Sequence, residues 1–478
     1  MLNTQKADGT IRVALIIPPP LKAEPIWCPN LPIGIAYLTA VLEKGGYDVT
    51  VIDCAALGID AKTLGAKIAA FKPSVVGITS MTPIIQSSLL AAQVTKETNP
   101  NTLVILGGPH ATFMDEQLLS ENSEIDVVVR GEGEQTLVEL VDAFSKSNLK
   151  DLGEIAGITF KKNGHIIRTP NRPLIQNLDE LPRPSYEHFP LKKYRLFGKA
   201  IFPIMTSRGC PFQCSYCVSS RMSGIQFRAR SPKNVVDELE WLKDTHGADA
   251  FSFYDDAFTL DIERAIEICE EIKKRKIGLP WDCQTRVDHV SKKLLAKMRA
   301  AKCQLVSFGV ESGCQKILDA VKKKTTIEQN ERAVRLAKEV GLPVTMSVII
   351  GHPGETTDTL KQTLDFVRKV DPDYVYLTLA TPYPGTDLRE LVKKLGWNMS
   401  MEWNHYDMQT PVFDNPLLSN DKLMEARKKF YNGFYSPTYI LRQSLKGTFY
   451  NKIMARTALN YILWRTKLPR LVPSFLRK

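Results

Sequence analysis

Short β-branched or apolar runs alternate with amphipathic helical stretches along most of the chain, and this alternation constrains the fold more than any other feature. Five such runs, RVALII, DVTVID, SVVGIT, TLVILGG and IDVVVRG, lie between Arg12 and Gly131, with helical patterns between them and a further helix beginning near Glu134. Strands joined through helices pair in parallel, so this part predicts an α/β, doubly wound, Rossmann-like domain with its ligand crevice at the carboxyl ends of the strands. A second series, IFPIMTS, AFSFYDD, WDCQTR, LVSFGVES, VTMSVIIG and YVYLTLATPYPG, suits a partial (β/α)6 TIM-type barrel whose working face is again the strand C-termini. Between the two series the composition turns to Pro, Asn and charge, which reads as a linker. The expected division is a first domain over 1–164, a linker over 165–195, a barrel over 196–395 and a helical, basic segment over 396–478.

A chain of 478 residues with 44% hydrophobic content is large enough for two or three cores. Its net charge of +11 is localised rather than spread. Residues 421–478 hold 13 Lys or Arg against two acids, so the remainder is neutral and lacks the field of a nucleic-acid-binding body. That segment also carries Phe430, Tyr431, Phe434, Tyr435, Tyr439, Phe449, Tyr450, Tyr461, Trp464 and Phe475. Cations interleaved with rings suit an interfacial helix on anionic lipid, giving an expected peripheral membrane contact; a helical cap over the barrel is the plainer alternative. The first residues have no apolar signal core and no stretch is long enough to span a bilayer, so a cytoplasmic location is expected.

Nine cysteines without an export signal read as thiols or metal ligands. Three crowd into TSRGCPFQCSYCVSS, where Cys210, Cys214 and Cys217 form C-x3-C-x2-C directly after a predicted strand. Three thiolates on one loop can hold three irons of a [4Fe-4S] cubane and leave the fourth iron open. A zinc site would need a fourth ligand, and no further Cys or any His lies between His188 and His246. The dispersed cysteines at 28, 54, 269, 283, 303 and 314 suggest no second cluster.

This loop, with Tyr216 before its last cysteine, resembles the signature of the radical SAM superfamily. FYDDAFT, WDCQTRVD, AKCQLVSFGVESG, VIIGHPGET and TPYPGTDL match the family in order along the barrel. The resemblance implies that the open iron chelates S-adenosyl-L-methionine, and that one electron from a flavodoxin- or ferredoxin-type donor releases a 5′-deoxyadenosyl radical. It places Asp255 and Asp256 near the methionyl amino group, although the family's Gly-Gly-Glu form is absent. It further places Glu311 and Ser312 at ribose or carboxylate, Ile349 to Gly351 along adenine, and Arg286 on the carboxylate.

In the amino-terminal part, Gly34 opens a helix, Ser80 and Thr82 offer hydroxyls, and Gly107 and Gly108 permit close approach of a ligand to backbone. A nicotinamide site would want G-x-G-x-x-G after the first strand, where this chain has prolines and Trp27 instead. The arrangement resembles the cobalamin-binding domain that precedes the barrel in one radical SAM branch, and VVVRGEGEQTLVELV, with Glu132 and Glu134, is similar to that branch. The corrinoid motif Asp-x-His-x-x-Gly reads Pro29-Asn-Leu-Pro-Ile-Gly34 here, so Leu31 stands where an axial histidine would. The resemblance then implies cobalamin without a protein histidine ligand, and His110 as a nearby hydrogen-bond donor.

The combined expectation is an enzyme that functionalises an unactivated carbon of a hydrophobic substrate, most simply by C-methylation. The rival on the same parts is radical cyclisation or ring rearrangement. The rival of another class is a non-catalytic metal-binding module docking on nucleic acid through the basic end.

Overall fold

The computed structural model describes residues 11–19, 31–146 and 149–465. Its first sheet contains β1 (Arg12–Ile17), β2 (Asp48–Asp53), β3 (Val75–Thr79), β4 (Leu103–Gly107), β5 (Val127–Val129), β6 (Ile158–Lys162) and β7 (His165–Arg168). The order is β2-β1-β3-β4-β5-β6-β7, with the first five parallel. Residues on both faces of these strands are buried, as the unbroken apolar runs require of a sheet covered by helices on each side. The order reverses between β1 and β3, which opens the expected crevice at their carboxyl ends.

The expected boundary after residue 164 falls inside a hairpin. Strand β7 pairs antiparallel with β6, and β6 with β5, so residues 165–168 belong to the first sheet rather than to the linker. Asn163 and Gly164 both take positive φ, 53° and 80°, the backbone of a two-residue hairpin turn for which Asn-Gly is the favoured sequence.

The second sheet holds β8 (Arg195–Leu196), β9 (Lys199–Ile204), β12 (Ala250–Phe253), β13 (Trp281–Arg286), β14 (Cys303–Glu311), β15 (Val344–Ile350) and β16 (Tyr374–Leu379). A two-stranded ribbon, β10 (Ser207–Arg208) with β11 (Arg228–Ala229), brackets the cysteine loop. Strands β9 and β12 to β16 are parallel in the order β16-β15-β14-β13-β12-β9, with β8 antiparallel at the far edge. These are the six expected barrel strands, unclosed.

An open barrel leaves β16 with unpaired backbone groups, and side chains of the C-terminal segment pair them. The Tyr435 hydroxyl donates to the Val375 carbonyl at 2.7 Å and accepts from its N–H at 3.0 Å. Tyr431 does the same for Leu377, and Tyr439 donates to the Asp373 carbonyl. Four residues of helix rise about 6 Å and two residues of strand about 6.6 Å, so Tyr431 and Tyr435, one turn apart at the end of the helix Asn420–Phe434, meet residues two apart on β16, while Tyr439 comes from the next helix, Pro437–Leu445. The aromatics of this segment therefore face inward: Phe430, Tyr435, Tyr439 and Tyr450 are all buried. This corrects the expectation of a lipid-facing aromatic surface for residues 430–450, while the side chains of Tyr461, Trp464 and Phe475 lie outside the described residues. Among the described residues no helix is long and apolar enough to cross a membrane.

Replacing Tyr435 with Phe leaves a buried N–H and a buried carbonyl without a partner. It is expected to destabilise the protein by about 1–3 kcal/mol, read as a lower urea midpoint with an unchanged slope.

Candidate active site

The cysteine loop leaves β9 under tight control. Asp255, fully buried just after β12, accepts the N–H groups of Thr206 at 2.6 Å and Ser207 at 2.9 Å, and also the Thr206 hydroxyl. Gly209 follows at φ +87°, where a Cβ would stand 2.1 Å from the Gln226 carbonyl, so only glycine fits. The Cys210 N–H then bonds the Gly224 carbonyl, Ser215 the Val321 carbonyl and Cys217 the Cys214 carbonyl, each at 3.0 Å. The three thiols are free, Cys214 buried and its two companions half-buried. Cys214 and Cys217 border a cavity of about 210 Å³. Burial, reinforced by the nearby exposed Asp256, pushes the Cys210 thiol up to about 11.

The donor set fits an iron–sulfur cluster better than a single ion. Three thiols lie within residues 210–217 of one loop, the number that a cubane with one open iron takes from the protein. A cubane spreads its ligands over a wider gap than a tetrahedral ion does.

Several barrel residues take structural posts where ligand contacts were expected. Both oxygens of Asp255 are committed to the loop backbone and the Thr206 hydroxyl, so it is not placed to meet an incoming amino group. Arg286 is held in a bidentate pair with Asp288 at 2.9 Å, donates to the Lys323 carbonyl at 3.0 Å, and lies 3.5 Å from the Phe212 ring centroid. It reaches the Cys214 sulfur at 4.0 Å, a position that supports the thiol loop rather than a free carboxylate partner. The Ser312 hydroxyl is spent on Thr363 at 2.9 Å and on the Cys314 N–H at 3.1 Å. Glu311, at φ +67° on a register shift of β14, pairs with Lys323 at 2.8 Å. The buried Lys323 ammonium also lies 3.4 Å from the Tyr216 hydroxyl, tying the last strand-end acid to the cysteine loop. Lys323 was not singled out by sequence, because a Lys-Lys-Lys run ordinarily signals a solvated surface.

Gly351, at φ +88°, donates its N–H to Glu355, and a Cβ there would stand 2.8 Å from Leu423. His352 and Glu355 are fully buried; both imidazole nitrogens and one Glu355 oxygen find no partner among the described residues. Burial pushes Glu355 up to about 7 and His352 down to about 4. A carboxyl raised on folding contributes stability below its unfolded value and loses it as the pH climbs through the folded one. Relative to the wild type, Glu355→Gln is therefore expected to gain about 3 kcal/mol between pH 4.5 and pH 7, measured by urea unfolding across that window.

On the amino-terminal side the predicted residues divide. Gly34 is exposed in the first turn of the helix Ile33–Lys44, and a Cβ there would meet nothing within 4 Å. At Gly107 it would meet only the Val129 carbonyl at 3.9 Å. Both glycines thus leave open space beside the backbone at the carboxyl-end side of the sheet, where Met81 is exposed. Gly108 is demanded instead by protein packing, since a Cβ would stand 2.6 Å from the Ser80 carbonyl. The Ser80 hydroxyl is occupied by the Gly107 carbonyl and the Ala111 N–H, and that of Thr82 by His110 Nδ1 at 3.1 Å. His110 itself is buried edge-on to Trp403, 5.0 Å between centroids, and burial with the charge of Arg389 lowers it to about 4. These three side chains brace the crevice floor. Leu31 is buried in the core; Trp27, Pro29 and the rest of 20–30 lie outside the described residues.

The crevice and the cysteine loop belong to one assembly. The Leu388 N–H bonds the Ser215 carbonyl at 2.8 Å, and Gly385 leaves room for Phe113, whose ring a Cβ would touch at 2.5 Å.

Residues 204–367 match the radical SAM superfamily and residues 30–141 match the B12 binding domain. The chain is 38% identical over 427 residues to an uncharacterized methyltransferase of Pyrococcus horikoshii, covering 89% of this chain and 92% of that one. It is 35% identical over 412 residues to the anaerobic magnesium-protoporphyrin IX monomethyl ester cyclase of Rubrivivax gelatinosus, covering 84% and 73%. The fold matches the radical S-adenosylmethionine methyltransferase TsrM from Kitasatospora setae, solved with cobalamin and a [4Fe-4S] cluster, at a TM-score of 0.73 and 21% identity over 90% of each chain. The chain thus belongs to the radical SAM superfamily, in the branch whose barrel follows a B12-binding domain, and is an enzyme of [4Fe-4S] cluster, S-adenosyl-L-methionine and cobalamin.

Proposed function

We propose that this enzyme C-methylates an unactivated carbon of a hydrophobic small molecule, with Cys210, Cys214 and Cys217 as the cluster ligands. The observation that carries this reading is the pairing of two sites: three free thiols on the barrel loop, and a glycine-lined crevice in a domain joined directly to that loop. When bound, the cluster supplies an electron that cleaves S-adenosyl-L-methionine to a hydrogen-abstracting radical, and cobalamin supplies a transferable methyl group. The chain's own part is positional. Asp255 and Gly209 fix the loop, Arg286 supports Cys214, and Lys323 with Glu311 holds Tyr216 against the mouth. The burial of these groups keeps water from the reacting centre.

The 35% identity to the Rubrivivax cyclase favours ring formation as the second reading.

Product analysis separates the two. S-adenosylhomocysteine alongside 5′-deoxyadenosine in anaerobic turnover with cell lipid extract supports methylation, whereas deoxyadenosine alone supports cyclisation. Cys214→Ala is expected to lose the iron–sulfur absorption and S-adenosyl-L-methionine cleavage together, and retained cleavage would refute the ligand assignment.

A further inference from the structure

Four ionised side chains, none accounted for by the chemistry above, meet where the two domains join. Glu134 pairs with Arg208 at 2.5 Å, and Glu132 pairs with Arg208 at 3.2 Å and with Arg228 at 2.8 Å. Each of the four is nine-tenths or more buried. Both acids follow β5 in the B12-binding domain; both arginines lie on the ribbon β10–β11 that encloses the cysteine loop, Arg208 two residues before Cys210. A third element joins from the crevice side. Tyr37, on the helix that Gly34 opens, presents its ring 5.7 Å beneath the Arg208 guanidinium.

The network balances two acids against two guanidinium groups, although the buried Arg228 Nε finds no partner among the described residues. Arg228 also donates to the Ile175 carbonyl at 2.6 Å and to the Ser223 carbonyl at 2.7 Å, and Glu132 accepts the Ile175 N–H at 2.8 Å. Burial opposes the charge of Glu132, yet Arg228 and Arg208 hold its carboxyl below the usual range. Buried ion networks add little net stability compared with an apolar core of the same volume, so their distinctive contribution is a fixed relative placement.

The geometry points to Glu132, Glu134, Arg208 and Arg228 as positioning residues that set the separation and orientation of the cysteine-held cluster relative to the cobalamin crevice. Acids carried by one cofactor domain grip the two strands that carry the other cofactor's loop. Direct charge-assisted bonds tolerate less displacement than apolar contacts do. A transfer between two cofactors needs this tolerance to be small, because misplacement by an ångström is costly in rate.

The inference rests on the two-cofactor reading above, and its test keeps the two apart. Full-length protein, loaded with its cluster and reconstituted with hydroxocobalamin, is reduced so that both centres are paramagnetic. Their spin–spin coupling then reports the separation directly. In Glu134→Gln and in Arg208→Lys, both centres are expected at wild-type stoichiometry, with the coupling weakened or spread over several distances. Amides of residues 207–208 and 228–229 are expected to exchange at least about tenfold faster. Unchanged coupling and exchange in both variants would overturn the positioning role, as would loss of either cofactor, which marks a merely structural pair. A wild-type chain that takes up no cobalamin refutes the two-cofactor reading itself, and the positioning role with it.

Discussion

One buried carboxylate holds the start of the cysteine loop, and the rest of the site is arranged around what it secures. Asp255 takes two consecutive backbone N–H groups and a hydroxyl from the segment leaving β9, turning the strand end into a fixed post. From there Gly209 makes the only turn its crowded position allows, and the thiols are delivered to the mouth of the barrel. Desolvating the carboxylate is costly in itself, and its hydrogen bonds with the charge of Arg264 offset part of that cost, leaving the carboxyl above the usual range. What the post secures is the loop of three free thiols, Cys214 buried beside Arg286 and Cys210 and Cys217 half-buried.

Much of the fold was readable in the sequence because strand runs and helix periods are local signals. All five parallel strands of the first sheet and all six of the barrel are where the alternation put them, and the C-x3-C-x2-C loop follows its strand as expected. Only β7 falls within the expected linker, although Asn-Gly marks the turn before it, since that strand is four residues long and half-polar. The candidate site was readable by position and less so by role. Asp255, Arg286, Ser312 and Ser80 sit at the strand ends where the family pattern places them, but each spends its polar atoms on protein partners. A motif fixes which residue stands at a strand end; which way its atoms point is decided by partners on other elements, such as Thr206 for Asp255 and Thr363 for Ser312. Lys323 shows the converse, a buried partner concealed in a run of lysines.

The same distinction explains the basic segment. Its composition suggested a surface, because cations and aromatic rings together are also what a membrane face uses. The tyrosines face the sheet instead, and several of the cations face acids of the barrel, such as Arg442 on Asp371 and Lys446 on Asp373. Composition alone cannot separate a face that meets lipid from one that meets a strand edge, since both demand amphipathic side chains.

The tyrosine seal on β16 changes carrier along its length: Tyr431 stands on the helix Asn420–Phe434, Tyr435 caps its end, and Tyr439 stands on the next helix, Pro437–Leu445. The break between the helices lets the seal re-align with the strand, so its reach is set by where the chain turns rather than by a single pitch. It covers Leu377 and Val375 of β16 and the Asp373 carbonyl just before it. The barrel is thereby shielded against stray strand addition without becoming a closed tube, and its side remains built from separate hydroxyl contacts rather than a continuous ladder.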